Sequence, residues 1–553
     1  MRKDDFNLVQ QPWILVRAPD ASVKELSMME LFADAHHYRS LAGEIPTQDV
    51  AVLRLLLAVL HTVFSRVDTD GNPAPLIEAD DGLDRWQALW EAGKFPMKPI
   101  QEYLESMQDR FWLFDPERPF YQARDAKRIG GTDANGGQKE PYAAEKLNGE
   151  ISKSGNKASI FANRSGGQQS KLTYSEAARW LIHLVGFDDC AFKKSATYKK
   201  AEAKAMTKEK ESPGTGWLGK LGIIYAEGAT LFETLMLNLV LQPADGENFA
   251  KENPVWEWND LSVHEREKVP QPTNMAELLT FPSRHILLEK QNGFVVGYYG
   301  VYGMYFDAAA QIEQMTRRKG PQKKEELSPY QPARHVQEGY LWQEFESLFS
   351  RGTEGDDHRP GIVKWVSRLQ DDADPLIVGG KVIHFCSAAI YYGSQSCSVQ
   401  QIESDSISLH ANLMTDMGED WRRVISEELA FTHSAAEQVG FLAGEIYTAA
   451  SGETDAGKRK KMAQAQFYEA MDIPFRRWLV SVSPGTSDKE NMRQDWRRFV
   501  RSTALRIGRD MTDSAGPAAY VGRLVHKKAG DKGIYYSAVR SFERFSMRIN
   551  CLK

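Results

Sequence analysis

A chain of 553 residues, 42% hydrophobic and 26% charged, can bury a large core and fill two or more domains, which excludes a small single domain. Its formal net charge of -6 neither favours nor excludes a nucleic-acid partner, because the electrostatic footprint of a binding face is local and must be read from the charge distribution. The four cysteines, Cys190, Cys386, Cys397 and Cys551, form no C-x-x-C pair, which argues against a closed zinc site or a disulfide framework and fits a reducing cytoplasm.

The opening MRKDDFNLVQ lacks the apolar core of an export signal, and residues 13–16 read as a short strand. Ser27 and Glu30 form a capping-box pattern ahead of an apolar helical period that runs to Gly43. A second helix starts near Thr47, just after Pro46, with Val50, Leu53, Leu57, Leu60 and Phe64 on one buried face. The run 50–64 is the most apolar in the chain, but Arg54, His61 and Thr62 interrupt it, so no membrane span is read. Thr173 and Glu176 repeat the capping box before a helix over 177–185 that Gly186 stops. Strand-like stretches follow at 285–288, 294–300 and 376–385, each β-branched or aromatic-rich and bounded by Gly, Pro or Asn. Three long polar loops, 123–167, 193–222 and 315–331, have no periodic pattern and are expected to be functional or disordered.

From about Ser404 the strand signals stop and helical periods continue to the end, broken at Ser451-Gly452, Ser483-Pro-Gly485 and Ala515-Gly-Pro517. The expected architecture is α+β: a mixed α/β domain over 1–400, then a bundle of about four helices over 401–553. The bundle is electrically lopsided. Residues 401–455 carry 11 acidic against 2 basic residues, whereas residues 456–553 carry 21 basic against 9 acidic. Trp478, Trp496 and Phe499 are interleaved there with Arg476, Arg477, Arg497, Arg498 and Arg501, a composition that suits either nucleic acid or pairing with the acidic half.

Sites for chemistry are sparse. No G-x-S-x-G, H-E-x-x-H or Walker A pattern occurs, and the 12 histidines are scattered. His36, His37 and His183 lie on helix faces as core histidines would, and Asp356-Asp357-His358 reads as a charged turn as readily as a metal-site fragment. The segment Gly214-Thr215-Gly216-Trp217-Leu-Gly219 is more suggestive, because closely spaced glycines let backbone approach a ligand. Seven lysines (193, 194, 199, 200, 204, 208 and 210) against two glutamates stand just upstream, and Arg317-Arg-Lys319 with Lys323-Lys324 forms another basic cluster. Spacing alone leaves each open between a phosphate contact and a solvated loop.

Several ordered motifs together resemble the CasA family, the large subunit of the type I-E CRISPR Cascade surveillance complex. They are Phe6-Asn-Leu-Val-Gln-Gln-Pro-Trp13-Ile-Leu-Val-Arg17, Ala35-His-His-Tyr-Arg-Ser-Leu-Ala-Gly43 continuing through Pro46 to Leu56, Phe114-Asp-Pro-Glu-Arg-Pro-Phe120, Thr173 to Trp180, Gly214 to Gly219, and Leu237-Asn238-Leu239. The resemblance implies a mixed domain followed by a four-helix bundle, no catalytic activity and no cofactor. It also implies assembly with the other Cascade subunits and a guide RNA, and recruitment of a separate nuclease-helicase. In such systems guide pairing reads sequence while protein reads only a short flanking motif of double-stranded DNA.

Carried over by position, Phe161-Ala162-Asn163 is similar to the loop near the guide RNA 5′ end, and Gly214–Gly219 to the glycine loop that presses backbone against the minor groove. Ser394-Gln395-Ser396 is similar to the glutamine-tipped wedge that unstacks the first base pair, and Lys319, with Lys323 and Lys324 as rivals, to the lysine finger of the minor groove. Some relatives carry a paired-cysteine zinc motif near that finger; this chain has none, so no metal is carried over. Arg497, Arg498 and Arg501 complete the expected nucleic-acid contacts. Two other classes stay open: a metal-dependent nuclease built on Asp356-Asp357-His358, and a scaffold whose bundle only holds partner subunits.

Overall fold

The computed structural model describes residues 6–130, 140–150, 169–189, 214–242, 251–259, 261, 269–306, 312–320, 330–337, 339–351, 357–370, 376, 381–393, 396, 398–526 and 532–552. The chain divides into two compact units. The first comprises Met1–Gly339, Gly352–Val366 and His384–Ser406; the second comprises Tyr340–Arg351, Ser367–Ile383 and Ile407–Lys553.

In the first unit, strand Ile14–Arg17 is flanked antiparallel by Val23–Leu26 and Ser40–Leu41. The helix begun by Ser27 is Met28–Asp34: the Ser27 hydroxyl accepts from Glu30 N–H (3.2 Å), and the Glu30 carboxylate accepts from Ser27 N–H (2.8 Å). It is shorter than its apolar period, which runs to Gly43. One 3-10 turn, Ala35–His37, ends it, and Ser40 and Leu41 are drawn into pairing with Arg17 and Val16. Tertiary pairing overrides local pattern there.

Helix Pro46–Phe64 opens on proline at its first turn, where a missing N–H costs nothing. It is long and apolar enough to cross a membrane, but it is buried on all sides within this unit, as a central core helix is. Two of its interrupting residues find partners inside: Arg54 pairs with Glu313 (2.9 Å), and the Thr62 hydroxyl donates to the Ala58 carbonyl (2.7 Å). Burial pushes His61 down to about 3, so it stays neutral.

Helix Tyr174–Phe187 carries the second capping box, Thr173 with Glu176, and extends one residue beyond Gly186. Its buried Arg179 reaches Glu44 (2.7 Å), Glu25 (2.6 Å) and the Trp13 carbonyl (2.7 Å), tying the helix to the first sheet. Strands Arg284–Gln291 and Phe294–Tyr302 form a hairpin closed by Asn292-Gly293, both at positive φ (52° and 79°), the turn whose twist matches paired strands. A third sheet orders Val399–His410, Val382–Tyr392 and Ile223–Glu227.

The second unit is helical. Glu419–Ser451, Gly457–Ser481, Lys489–Asp513 and Ala538–Cys551 are its four long helices, broken where the sequence reading places the breaks. Gly452 closes the first at φ 84°, the left-handed cap that glycine adopts freely. The tail is not wholly helical. A small hairpin, Arg523–Val525 with Ile534–Tyr536, packs Val525 and Tyr536 on Ala449, Ala519 and Ala538. Segment Tyr340–Arg351 belongs to this unit: the Trp342 indole donates to Asp472 (2.9 Å) and stacks on Phe475 at 4.7 Å.

Candidate nucleic-acid interface

Three segments far apart in sequence converge in the first unit. The first is the glycine segment. As helix Tyr174–Phe187 ends, the Asp188 carbonyl accepts from Gly216 N–H (2.9 Å), and Arg284 donates to the Asp188 carboxylate (2.9 Å) and to the Gly214 carbonyl (2.9 Å). Trp217 N–H donates to the Ser283 hydroxyl (3.0 Å), and its buried indole donates to Glu313 (3.0 Å), the partner of Arg54. Burial opposes ionisation of Glu313, yet the Arg54 guanidinium and the Trp217 N–H hold its carboxyl below the usual carboxylate value.

Two of the glycines are demanded by this packing. A Cβ on Gly216 would lie 2.2 Å from the Gly186 carbonyl oxygen, and one on Gly219 would lie 2.4 Å from the Tyr392 hydroxyl. Thr215 and Trp217 are buried as well. The outer edge of the segment is Gly214, at φ 65°, where a Cβ would meet only Lys220 Cε at an ordinary 3.8 Å, and half-buried Lys220.

The second segment is a two-stranded ribbon, Arg318–Lys319 against Gln331–Pro332. Arg317 N–H donates to the Gly222 carbonyl (2.8 Å), Arg317 Nη1 donates to the Arg334 carbonyl (2.9 Å), and buried Arg318 donates to the Glu313 carbonyl (2.9 Å). Side chains alternate along a strand, so Lys319 points the other way and is exposed. Lys323 and Lys324 lie outside the described residues.

The third is the turn between Val382–Tyr392 and Val399–His410. Gly393 N–H donates to the Ser398 carbonyl (2.8 Å), and Ser396, at φ 55°, donates its N–H to the Gly393 carbonyl (2.8 Å). Ser394 and Gln395 at its tip lie outside the described residues. At the base of this turn the Tyr392 hydroxyl donates to the Phe187 carbonyl.

Arg334 joins all three, and nothing in its local sequence singles it out. Its Nε donates to the Gly219 carbonyl (2.6 Å), its Nη2 donates to the Thr215 hydroxyl (3.3 Å), and its guanidinium lies over the Tyr392 ring at 5.0 Å. Phe161, Ala162, Asn163 and the seven-lysine run lie outside the described residues.

The arginines of the second unit divide. Arg497 chelates fully buried Glu428 (3.0 and 2.8 Å), Arg501 donates to the Leu552 carbonyl (2.7 Å), and both guanidinium groups lie over Phe431 at 5.0 and 5.1 Å. Arg498 is 75% exposed, with an i,i+3 contact to Asp495. Trp496 is core, its indole donating to Thr432 (3.1 Å) and its ring against Trp478, so these tryptophans pack the bundle. Asp357 is held by Arg359 (2.7 Å), and His358 stacks on Tyr330 at 4.5 Å, while Asp356 is outside the described residues. Among the described residues no group of three His, Cys, Asp or Glu side chains is placed to hold a metal.

The family model for CRISPR-associated protein Cse1 matches residues 7–507, nearly the whole chain. The chain belongs to the Cse1 family. Among its relatives, a CRISPR-associated protein CasA/Cse1 of Thermus thermophilus is 26% identical over 521 residues, covering 91% of each chain. Thermobifida fusca Cse1 superposes with a TM-score of 0.78 at 27% identity, over 100% of this chain and 99% of that one. Acidimicrobium ferrooxidans Cse1 shares the fold, with a TM-score of 0.74 at 23% identity over 99% of both chains. So does a chain of a CRISPR RNA-guided surveillance complex, with a TM-score of 0.69 at 15% identity over 99% of both chains. The Cse1 fold thus extends over both units, including the tail beyond residue 507.

Proposed function

We propose that this Cse1-family chain is the large, non-catalytic DNA-binding subunit of a type I-E Cascade complex in the cytoplasm. It docks on the other Cascade subunits and the guide RNA 5′ end, the latter through Phe161-Ala162-Asn163. It then reads a short motif flanking the target in double-stranded DNA and recruits a separate nuclease-helicase. Residues 1–400 carry the reading loops, and the bundle over 401–553 carries docking and backbone contacts.

The observation that carries this reading is the meeting of the glycine segment, the Lys319 ribbon and the 393–396 turn around Arg334. Exposed Lys319 supplies a long cationic side chain beside that junction, as a minor-groove contact requires. The proposed wedge residue Gln395 falls between Gly393 and Ser396 in sequence, and a wedge there has to offset about a few kcal/mol for unstacking one step. Relaxed discrimination follows, because the minor groove offers only a degenerate donor and acceptor pattern.

The test adds this chain to a Cascade lacking its large subunit and measures binding and opening of duplex DNA bearing a flanking motif. The native chain restores both. Lys319→Ala weakens binding and lowers the salt dependence by about one phosphate contact, a slope change of about 0.9; Gln395→Ala binds but opens poorly. Failure of the native chain to restore binding, or variants indistinguishable from it, refutes the assignment.

A further inference from the structure

The first unit holds a second cationic recess. A cleft of about 630 Å³ is lined among others by Arg110, Arg118, Arg124, Phe120, Trp256 and Trp258. That volume lies within the range of sites for a small organic ligand of about one nucleotide's size.

Its floor is rigid and aromatic. Phe120 stacks on Phe111 (5.0 Å), Trp256 lies 5.3 Å from Phe111, and the Trp256 indole donates to the Tyr103 hydroxyl (2.7 Å). Trp258 is half-buried, its indole N–H fixed on the Asn253 carbonyl (2.9 Å), and among the described residues its ring stacks on no other. The rim is held as firmly. The Gln122 side chain donates to the Leu113 carbonyl (2.7 Å) and accepts from Leu288 N–H (2.9 Å). That scaffold keeps Tyr121, a bulky residue, at φ 58°, a costly conformation that persists only where its surroundings impose it.

Among the described residues, the side chains of Arg110, Arg118 and Arg124 make no hydrogen bond or ion pair. Two carboxylates also line the cleft: Asp125 faces Arg128 at 3.5 Å, and Glu117 is exposed and pairs with none of the three arginines. Burial and then the Arg118 charge push the Arg110 guanidinium below its ordinary value, as a like charge facing the same cleft does. Forked donors around an aromatic floor match a phosphodiester with its base: guanidinium takes phosphate oxygens in pairs, and bases stack on indole.

We infer that this cleft binds single-stranded nucleic acid, with backbone phosphate on Arg110, Arg118 and Arg124 and one base against Trp258. The inference stands independently of the motif-reading assignment, since it uses none of the same residues.

The test titrates the full chain with fluorescein-labelled 15-mers of dT and of U, and with an abasic phosphodiester of equal length, across a salt series. Arg118→Ala/Arg124→Ala removes two exposed side chains, so its thermal unfolding matches the native chain. It is expected to weaken binding of (dT)15 and U15 at least about tenfold and to flatten the salt slope by about 1.4, two contacts at about 0.7 each. The native chain prefers the base-bearing oligomers to the abasic one by about tenfold, as one stacked base predicts. Tighter binding of one sugar type identifies DNA or RNA as the natural source. Undetectable binding by the native chain, equal affinity in the double variant, or competition by a glutamate 15-mer as effective as by (dT)15 overturns the inference; the last result makes the cleft an acidic-peptide site.

Discussion

Removing Arg334 cuts a side chain that joins the glycine segment to the ribbon and the turn. Arg334→Ala loses a charge-assisted bond of 2.6 Å to Gly219, worth about 1.5–3 kcal/mol, a long bond of 3.3 Å to Thr215, and a guanidinium-ring contact at 5.0 Å worth about 0.5–1 kcal/mol. Because Arg334 is half-buried, the lower ends apply; with about 1 kcal/mol for the long Thr215 bond, the sum is about 3 kcal/mol of local coupling. Spent on a local opening, that is about a hundredfold in the opening equilibrium. Hydrogen exchange followed by mass spectrometry should show it in peptides spanning 214–222, where the Gly219 and Lys220 amides bond to the Gly216 and Trp217 carbonyls. The amides of helix Pro46–Phe64 should stay unchanged. Arg334→Lys keeps the charge but loses the fork, and should recover only part of the protection. Unchanged exchange in 214–222 on Arg334→Ala would refute the view of Arg334 as the junction.

Gly216→Ala puts a Cβ 2.2 Å from a backbone oxygen and should collapse soluble yield, whereas Gly214→Asn, at a left-handed position where a Cβ meets only Lys220 Cε at 3.8 Å, should fold with nearly native thermal unfolding. Glu313→Ala leaves buried Arg54 without its counter-charge and should cost about 3–5 kcal/mol in denaturant unfolding. Burial pushes the Glu252 carboxyl up to about 7 from its ordinary 4.5, so the folded chain holds a proton that the unfolded chain releases. The stability it contributes is complete below about pH 4 and is lost as pH rises to about 7. Glu252→Gln should remove that part of the pH dependence while keeping an acceptor for Ala276 N–H, read as the difference in melting temperature between the two chains at pH 5 and pH 8.

What local chemistry decides was legible in the sequence. The capping boxes at Ser27 and Thr173 need only residues three apart, and the breaks at Gly452 and near Ser483 and Gly516 need only a glycine or proline after a helical period. What partners decide was not. The apolar period through Gly43 became a strand because Arg17 and Val16 stand opposite, and the 523–525 hairpin is too short to show a pattern. The glycine segment reads as backbone approaching a ligand; at Gly216 the close neighbour is Gly186 of the chain itself. Arg334 lies 115 residues from the carbonyl it grips and gives no local signal.

The same distinction governs the lopsided bundle. Along the chain it reads as an acidic helix followed by basic ones; in space the acidic helix Glu419–Ser451 receives the basic side chains of the others. Arg493 and Arg497 close on Glu428, Arg544 and Arg548 on Glu445, and Lys489 on Asp420. Five of the 21 basic residues after residue 455 thus pair with the acidic helix. Charge reversal at Arg497 would set a second negative charge against buried Glu428 and would report on bundle integrity rather than on a ligand. Arg498, three-quarters exposed with only a weak partner, reports on the outer face alone, and a salt-dependent loss of DNA affinity there is the one that would speak for nucleic acid.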